Sequence, residues 1–247
     1  VYKPKFVFCS SENSYFLKNK FEIRYEFFKH YLFENKKNSL IKINNNLSLL
    51  LSTSGSMGGL KFVKLSKKNL KSNSNSILKY LKINQSDAAI TNLPISYSYM
   101  ISIINTHLEV GGKILVTKYS IVQKQFWETY YANKITSFNG VPYSYEILKK
   151  IGIKYLKSDH LKYLTQAGGK LDKKTLIDIV NFSNKNKIDF FSMYGQTEAS
   201  PRISFLDPKL SQKKIGSIGK AIPGNKIYLI DKSNKKILKP NKIGELV

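Results

Sequence analysis

Apolar residues recur with two different periods along this sequence, and the two periods alternate. Short apolar runs such as "NLSLLLSTSGS", "AAITNLP" and "KILVT" have the length and composition of strands. Between them lie stretches such as "NLKSNSNSILKYL" and "DKKTLIDIVNFSNKN", in which apolar residues recur every three or four positions, as in helices. Ser66 is expected to cap the first of these helices. From residue 46 to residue 198, the alternation predicts an α/β layered fold with a mainly parallel sheet.

The first 46 residues lack this alternation. They are predicted to hold connecting structure around one or two helices, because "RYEFFKHYLFENKK" has apolar residues at roughly helical spacing. These apolar residues are Tyr25, Phe28, Leu32 and Phe33.

The pattern changes again after Pro201. Residues 201–247 have frequent Gly and Pro and no helical period, and they predict short strands with a hairpin around Ser233 and Asn234. We therefore predict an α/β core over residues 1–200 and a small β-rich subdomain over residues 201–247.

The formal net charge of +25 raises the question of a nucleic-acid partner. All but two of the 41 basic residues are lysines, and they are scattered along the chain. Arginine is the usual side chain for bidentate contacts to bases. We therefore expect a lysine-rich solvated surface and no specific nucleic-acid partner. A polyanion-binding protein stays open as a hypothesis that the charge alone motivates.

Several other classes of protein are poorly supported. The single cysteine, Cys9, has no intrachain partner for a disulfide, which favours a reducing compartment, and a cytoplasmic location is expected. The most apolar region, residues 97–116, contains Glu109 and Lys113, so no membrane span is expected. The sequence contains no G-x-S-x-G elbow and no Cys/His spacing of a zinc site, which argues against a serine hydrolase and a structural zinc protein.

The stretch "STSGSMGGLK" (52–61) combines glycines, hydroxyl side chains and a lysine directly after an apolar run. Glycines let backbone N–H groups converge on an anion, hydroxyls add donors, and Lys61 adds a positive charge. This chemistry predicts a phosphate-binding loop, and the alternative is a flexible surface turn. The spacing does not fit G-x-x-x-x-G-K-[ST], because Leu60 stands where that motif has Gly and Phe62 where it has a hydroxyl.

Four stretches occur in a fixed order along the chain. They are "TSGSMGGLKFVKLSKKNL" (53–70), "QAGGKL" (166–171), "YGQTE" (194–198), and "GSIGKAIPGNKIYLID" followed by "GELV". This series resembles the motifs of the adenylate-forming superfamily of AMP-dependent synthetases and ligases, which includes acyl-CoA synthetases, nonribosomal peptide adenylation domains and luciferases. "YGQTEASPRISFL" also resembles a bacterial branch found in surface-polysaccharide gene clusters.

The resemblance implies the large N-terminal domain of that superfamily, a layered αβαβα domain followed by a small β-barrel-like subdomain, without the C-terminal domain. It implies ATP-dependent activation of a carboxylic acid, either an acyl or an amino acid, to an acyl-adenylate with release of pyrophosphate. ATP and Mg²⁺ would be required, and the acyl group would normally pass to the thiol of CoA or of a phosphopantetheinyl acyl or peptidyl carrier protein. The alternative is a degenerate or truncated non-catalytic ATP-binding or scaffold module of the same fold.

The resemblance also assigns the phosphate and metal contacts. Lys61, Thr197 and Glu198 would be catalytic: Lys61 pairs with the phosphates, Thr197 donates to the α-phosphate, and Glu198 coordinates Mg²⁺. For Lys61 the alternative is one more solvated lysine. The β- and γ-phosphates would be wrapped by Thr53, Ser54, Gly55, Ser56 and Gly58.

The nucleoside and acyl contacts follow from the later motifs. Tyr194 would stack on adenine, or else be an ordinary core aromatic, and the nucleotide motif continues through Gly195 and Gln196. Gly168 and Gly169 would let the backbone approach the adenine and the acyl chain.

Three further residues would border the acyl pocket: Tyr97, Gln166 and Met193. Tyr97 stands where many members of the superfamily have an aromatic residue or a histidine that gates the carboxylate. A packed tyrosine at a helix start is an equally good interpretation of Tyr97.

The sequence departs from the superfamily pattern at two positions of the loop. Met57 replaces the usual Thr, which removes a hydroxyl donor, and Leu60 replaces the usual Pro. The ribose-binding aspartate of the T-G-D motif and the domain with the catalytic lysine are not among the 247 residues, and Asp231 belongs to the predicted hairpin instead. The chain is therefore expected to be an internal piece of a longer enzyme or the product of a truncated gene.

Overall fold

The chain forms two compact units, residues 1–45 and residues 46–247. In the computed structural model, the described residues are 4–17, 19–36, 43–54 and 60–247. The middle of the predicted phosphate loop, residues 55–59, therefore lies outside the described residues.

The described part of the first unit contains a three-stranded antiparallel sheet rather than α-helices. Its strands are β1 (Phe6–Ser10), β2 (Phe21–Phe27) and β3 (His30–Asn35), in the order β1-β3-β2. The helix predicted over "RYEFFKHYLFENKK" is therefore wrong, because Phe27 pairs with His30 and Phe28 enters the turn between them with a φ of 51°. Aromatic and β-branched side chains favour paired strands, and this preference outweighs the loose helical spacing of the apolar residues.

In the second unit, the apolar run before the phosphate loop forms a strand, as predicted. β4 (Leu47–Ser54) pairs antiparallel with β5 (Leu60–Ser66), and the register places Thr53 opposite Lys61. Leu51 is buried, whereas Leu49 and Leu50 are half-buried. The two strands therefore form a hairpin that leads into and out of the phosphate loop.

Helix α1 (Lys67–Leu81) follows β5 directly, and Ser66 caps it as predicted. The Ser66 side chain accepts a hydrogen bond from the Asn69 amide, and the Asn69 side chain accepts one from the Ser66 amide. This reciprocal capping box satisfies backbone donors that the first helical turn leaves unpaired.

The other predicted strands and helices occur in the predicted order. The strands are β6 (Ala88–Ile90), β7 (Lys113–Leu115), β8 (Ser137–Gly140), β9 (Tyr163–Gln166) and β10 (Asp189–Gly195). The helices are α2 (Ser98–Glu109), α3 (Lys124–Ala132), α4 (Pro142–Ile151) and α5 (Lys173–Lys185). Within the described ranges, no helix is both long and apolar enough to cross a membrane.

The large sheet has seven strands in the order β12-β11-β10-β9-β8-β6-β7. Strands β6 to β10 are parallel to their neighbours in this group, as predicted for an α/β fold. At one edge, β11 (Arg202–Phe205) and β12 (Lys220–Ala221) continue the sheet in antiparallel orientation.

The end of the chain contains a smaller sheet. β13 (Leu229–Ile230) pairs antiparallel with β14 (Glu245–Leu246). The predicted hairpin turn is present, because the Asp231 amide donates to the Lys235 carbonyl at 2.9 Å and Asn234 has a φ of 60°. The division of the chain at residue 200 and the barrel-like subdomain after it stay predictions.

The large sheet lies between two layers of helices. Successive residues of a strand face opposite sides of a sheet. Accordingly, Phe190 packs in a core with residues of α3, α4 and α5, whereas its neighbour Phe191 packs in a second core with residues of α1 and α2. Ala88 and Ala89 divide between the same two cores. The sequence therefore builds the layered α/β fold with a mainly parallel sheet that its alternating pattern predicts.

Replacing Ser66 with Ala removes the side-chain acceptor of the capping box. We expect the free energy of unfolding to fall by about 1 kcal/mol, measured by urea denaturation. Lys67→Ala, at the next and exposed position, is the control and should change the same quantity by less than about 0.5 kcal/mol. A Ser66→Ala protein as stable as the Lys67→Ala protein would contradict the capping role.

The buried carboxylate of Asp87 predicts a pH dependence of stability. Burial raises the pKa of Asp87, but hydrogen bonds from Lys162 Nζ (2.7 Å) and the Asn84 amide (2.9 Å) outweigh burial, so the pKa lies below its ordinary value of 3.8. A depressed folded-state pKa stabilises the protein above the unfolded-state value, and this contribution is lost as the pH falls through the folded-state value.

We expect Asp87→Asn to remove this contribution. Its free energy of unfolding should therefore fall less steeply than that of the wild type below about pH 4, measured by denaturation at a series of pH values. Asp159→Asn, at an exposed position, should keep the wild-type slope. Parallel curves for the wild type and Asp87→Asn would refute the assignment.

Candidate active site

The carboxyl ends of β9 and β10 open into a cavity of about 680 Å³. In open α/β sheets, ligands bind in the crevice outside the carboxyl ends of the strands. The cavity is lined by the turn after β9, by the end of β10 and by the residue that precedes α2. Its volume lies in the range of small-molecule sites in proteins.

A tight turn follows β9 and forms one wall of the cavity. Gln166 is buried, and its Nε2 donates to the Gly169 carbonyl oxygen at 2.8 Å. Gly168 has a φ of +83°, and a Cβ at this position would lie 2.6 Å from the Tyr97 hydroxyl oxygen. Glycine is therefore required at residue 168 both by the left-handed backbone and by the close approach of Tyr97.

The end of β10 forms a second wall. The residues from Ser192 to Gln196 line the cavity in succession. Met193 is buried, and its Sδ accepts a hydrogen bond of 3.1 Å from the Tyr80 hydroxyl. Burial raises the pKa of Tyr80 to about 12, so this phenol keeps its proton at neutral pH. The hydrogen bond therefore fixes the methionine that borders the cavity.

The connection between β10 and β11, called here the 195–202 loop, carries two of the predicted catalytic residues. Thr197 Oγ1 lies 3.1 Å from the hydroxyl oxygen of Ser98, the first residue of α2. Glu198 is exposed and lines a smaller polar cleft of about 150 Å³ beside α1, rather than the main cavity. The Thr197 hydroxyl is therefore directed to α2, whereas the Glu198 residue borders the cleft beside α1.

The hairpin β4–β5 lies next to this loop. Lys61 is exposed on β5, opposite Thr53 on β4, and β5 contacts the turn Thr197–Ala199. The strand that carries Lys61 therefore runs beside the residues predicted to bind phosphate and metal. The predicted contacts that lie outside the described residues are the Ser54 side chain, Gly55, Ser56 and Gly58.

The structure brings eight of the predicted site residues together around one cavity. They are Tyr97, Gln166, Gly168, Gly169, Met193, Tyr194, Gly195 and Gln196. Lys61, Thr197 and Glu198 are not among the residues that line it; they belong to the neighbouring hairpin and loop. The chemical role of each residue stays a prediction.

Six further residues line the cavity and were not among the predicted site residues: Lys170, Leu171, Leu176, Ser192, Gly216 and Ile218. Lys170 and Leu171 end the motif "QAGGKL", and Gly216 and Ile218 begin the motif "GSIGKAIPGNKIYLID", so these motifs are the signal that could have identified them. Leu176 and Ser192 lie outside the quoted motifs, and no local pattern indicates that they line the site.

The oxygen donors near Glu198 fit one kind of metal site. In the described residues, no group of three His, Cys, Asp or Glu side chains could hold a metal ion. Mg²⁺, however, is commonly held by one or two carboxylates together with substrate phosphates and water. Glu198 shares its polar cleft with Ser72, Ser76 and Ser200. This donor set fits a cation that arrives with a phosphorylated substrate.

The contact between Gly168 and Tyr97 can be tested by substitution. Gly168→Ala is expected to lower the free energy of unfolding by about 1–3 kcal/mol, because the left-handed backbone and the Tyr97 hydroxyl both oppose a Cβ. In a Tyr97→Phe background the same substitution should cost less, since the opposing hydroxyl is gone. A double-mutant cycle of urea denaturation measures the difference. Additive effects would show that the hydroxyl does not rest against Gly168.

The sequence model of the family described as AMP-binding enzyme matches residues 13–247. A comparison with curated proteins found no match.

Solved structures with the same fold include O-succinylbenzoate coenzyme A synthetase (MenE) from Bacillus subtilis in complex with AMP. It matches with a TM-score of 0.69 at 21% sequence identity, over 80% of this chain and 39% of that chain. The same synthetase in complex with ATP and magnesium ion matches with a TM-score of 0.69 at 20% sequence identity, over 80% of this chain and 40% of that chain. A long-chain-fatty-acid-CoA ligase (FadD1) from Archaeoglobus fulgidus matches with a TM-score of 0.71 at 19% sequence identity, over 87% of this chain and 43% of that chain.

At these sequence identities, the structural likeness establishes the fold. The chain spans about two fifths of the length of these three structures, 39–43%. The family match is independent of them and covers nearly all of the residues. This chain therefore belongs to the family of AMP-binding enzymes.

Proposed function

We propose that these residues form the nucleotide- and acyl-binding core of an enzyme that uses ATP to activate a carboxylic acid. The acid attacks the α-phosphate, an acyl-adenylate forms, and pyrophosphate leaves. Residues 1–200 supply the α/β core and residues 201–247 the β-rich subdomain. The acyl group then passes to a thiol, either of CoA or of a carrier protein.

The observation that carries the proposal is the convergence of three separate motifs on one edge of the sheet. The turn after β9 and the end of β10 line the cavity, and the hairpin β4–β5 contacts the 195–202 loop beside it. These motifs are far apart in the sequence: Lys61 and Glu198, for example, are separated by 137 positions. Family membership and the AMP and ATP complexes of the structurally similar synthetase support a nucleotide as the ligand.

The cavity can hold the adenosine and the acid side by side. Tyr194 is half-buried at its wall and offers an aromatic face to adenine, and the backbone of Gly168 and Gly169 allows close approach. Tyr97, Gln166 and Met193 border the part of the cavity assigned to the acid.

Charge neutralisation is the chemical task of the neighbouring hairpin and loop. A carboxylate and a triphosphate repel each other, so positive groups must offset their charges before the two can react. Lys61 supplies a cation at the exit of the phosphate loop, and Thr53 supplies a hydroxyl opposite to it. Thr197 supplies a donor for the α-phosphate. Glu198 holds Mg²⁺, which would neutralise phosphate charge when bound.

The test is ATP–pyrophosphate exchange by the natural full-length protein with a panel of fatty, aromatic and amino acids. We expect exchange that depends on one class of acid. Lys61→Ala and Glu198→Gln should each lower the exchange rate by about 10²-fold or more.

Lys64→Ala is the matched control for the lysine. Lys64 is an exposed lysine on the same strand, three positions from Lys61 and therefore on the opposite face. Its loss should leave exchange within about twofold of the wild type, as expected for a surface lysine without a ligand contact. ATP binding without acid-dependent exchange would overturn the proposed reaction and favour a binding module of the same fold. Equal losses in Lys61→Ala and Lys64→Ala would remove the role of Lys61.

A further inference from the structure

The 195–202 loop is closed on itself by backbone hydrogen bonds. At its base Gly195 pairs with Arg202, and the Gln196 amide donates to the Pro201 carbonyl at 2.9 Å. Gly195 approaches Pro201 so closely that a Cβ at residue 195 would overlap the Pro201 carbonyl oxygen. The base of the loop is therefore fixed, but its tip, with Glu198, extends away from the sheet.

Asn73 of α1 holds the far side of this loop. Its side chain is buried, with 7% of its surface exposed. The Asn73 Nδ2 donates to the carbonyl oxygens of Ala199 (3.2 Å) and Arg202 (3.0 Å), and the Arg202 amide donates to Asn73 Oδ1 at 3.3 Å. One amide side chain thus bridges the residue next to Glu198 and the last residue of the loop.

The same helix continues the strand that carries Lys61. α1 begins at Lys67, directly after β5, and Asn73 lies about two turns into it. α1 also packs against both strands of the hairpin, β4 and β5, so its position is coupled to that of the strand that carries Lys61. Asn73 therefore connects the element of Lys61 to the loop of Glu198 through one short rigid path.

The opposite side of the loop is anchored to α2. The Arg202 guanidinium is buried, with 2% of the residue exposed; it lies 3.9 Å from the centre of the Tyr99 ring, and its Nη2 is 3.3 Å from Ser102 Oγ. Thr197 meets Ser98 on the same helix. By contrast, no group in the described residues hydrogen-bonds to the Glu198 carboxylate, so the position of Glu198 depends on the contacts that hold the rest of the loop.

We propose that Asn73 is a positioning residue for the metal-binding loop. The Asn73 amide holds the backbone of Ala199 and Arg202. Glu198 therefore stays at the edge of the cleft beside α1, at a fixed position relative to the strand that carries Lys61. The role of Glu198 in binding Mg²⁺ rests on the proposed function. The contact between Asn73 and the loop does not rest on the proposed function, because it follows from the three hydrogen bonds.

The chain offers a closely matched control in Thr136. Its side chain is buried to a similar degree, with 5% exposed, and also bonds both backbone groups of one distant residue. Thr136 Oγ1 accepts from the Ala88 amide at 2.9 Å and donates to the Ala88 carbonyl at 3.1 Å. Thr136 directly precedes β8 and lies at the amino end of that strand, whereas the cavity lies at the carboxyl ends of the strands. Thr136→Ala therefore removes equivalent hydrogen bonds far from the site.

The first measurement is amide hydrogen exchange in the protein without ligand. In Asn73→Ala, exchange within residues 196–202 should accelerate about tenfold, the factor that corresponds to loss of one to two hydrogen bonds. Thr136→Ala should leave these residues unchanged and affect β6 and β8 instead. Asn73→Asp keeps the side-chain size but cannot donate to the two carbonyls, so it should loosen the same residues and serves if Asn73→Ala does not fold.

The second measurement is ATP binding by calorimetry over a series of Mg²⁺ concentrations. In Asn73→Ala, the Mg²⁺ concentration needed for half of the maximal effect should rise about tenfold, as is typical when support of a metal ligand is lost. Thr136→Ala should keep the wild-type Mg²⁺ requirement, even if it loses as much thermal stability as Asn73→Ala does. A general structural role would shift both variants together.

The outcomes separate the two proposals. Unchanged loop exchange in both Asn73 variants, or a Mg²⁺ dependence equal to that of Thr136→Ala, would overturn the positioning role. Loosened residues 196–202 with a raised Mg²⁺ requirement would support it. A wild-type protein that binds ATP and Mg²⁺ without acid-dependent exchange would overturn the proposed reaction while leaving the role of Asn73 in place.

Discussion

Backbone hydrogen bonds between the parallel strands β8, β9 and β10 place Gly140, Gln166 and Ser192 side by side across the sheet. Beyond this level β8 and β9 end, whereas β10 continues to Gly195 along β11, and the cavity opens past the end of β9 beside the last residues of β10. A shift of β9 by one residue would exchange the faces of all its side chains. The register of these three strands is therefore the constraint on which the turn after β9 and the end of β10, the two main walls of the cavity, depend.

Buried polar side chains reinforce that register directly under the cavity. Thr165 Oγ1 lies 2.6 Å from both the Tyr99 hydroxyl and Asn139 Oδ1, while the Tyr145 hydroxyl donates to the Thr165 carbonyl at 2.8 Å. Burial raises the pKa of Tyr99 and of Tyr145, so both phenols remain protonated at neutral pH. Hydrogen bonds in such a low-dielectric network strengthen one another and cost much if broken. Two helices on opposite faces of the sheet thus hold one residue of β9, next to Gln166.

The sequence predicted those parts of the molecule whose signals are local. The alternation of periods specified the order of strands and helices from residue 46 onward, and Ser66 indicated the start of α1. Two motifs, "QAGGKL" and "YGQTE", identified six of the cavity residues because each of them lies at the end of one strand. In the first 46 residues local spacing was misleading, since the pairing of β2 with β3 decides their structure and a four-residue spacing pattern cannot reveal pairing.

Contacts between distant residues were not predictable in this way. Asn73 and Arg202 are 129 positions apart, and nothing in "NLKSNSNS" distinguishes Asn73 from the other polar residues of that stretch. The separate cleft of Glu198 is likewise a product of how α1 packs beside the 195–202 loop. Sequence motifs identify which functional groups are present, whereas the hydrogen bonds that orient these groups depend on the assembled fold.

The contact of Tyr97 with Gly168 has a consequence for evolution of the family. The hydroxyl occupies the space that a side chain at residue 168 would fill. A side chain at residue 168 would need both a smaller residue at position 97 and a backbone that tolerates the left-handed φ of +83°, so the two positions are sterically coupled. Because both residues border the cavity, such a paired exchange would change the shape of the cavity wall while the strands beneath it keep their register.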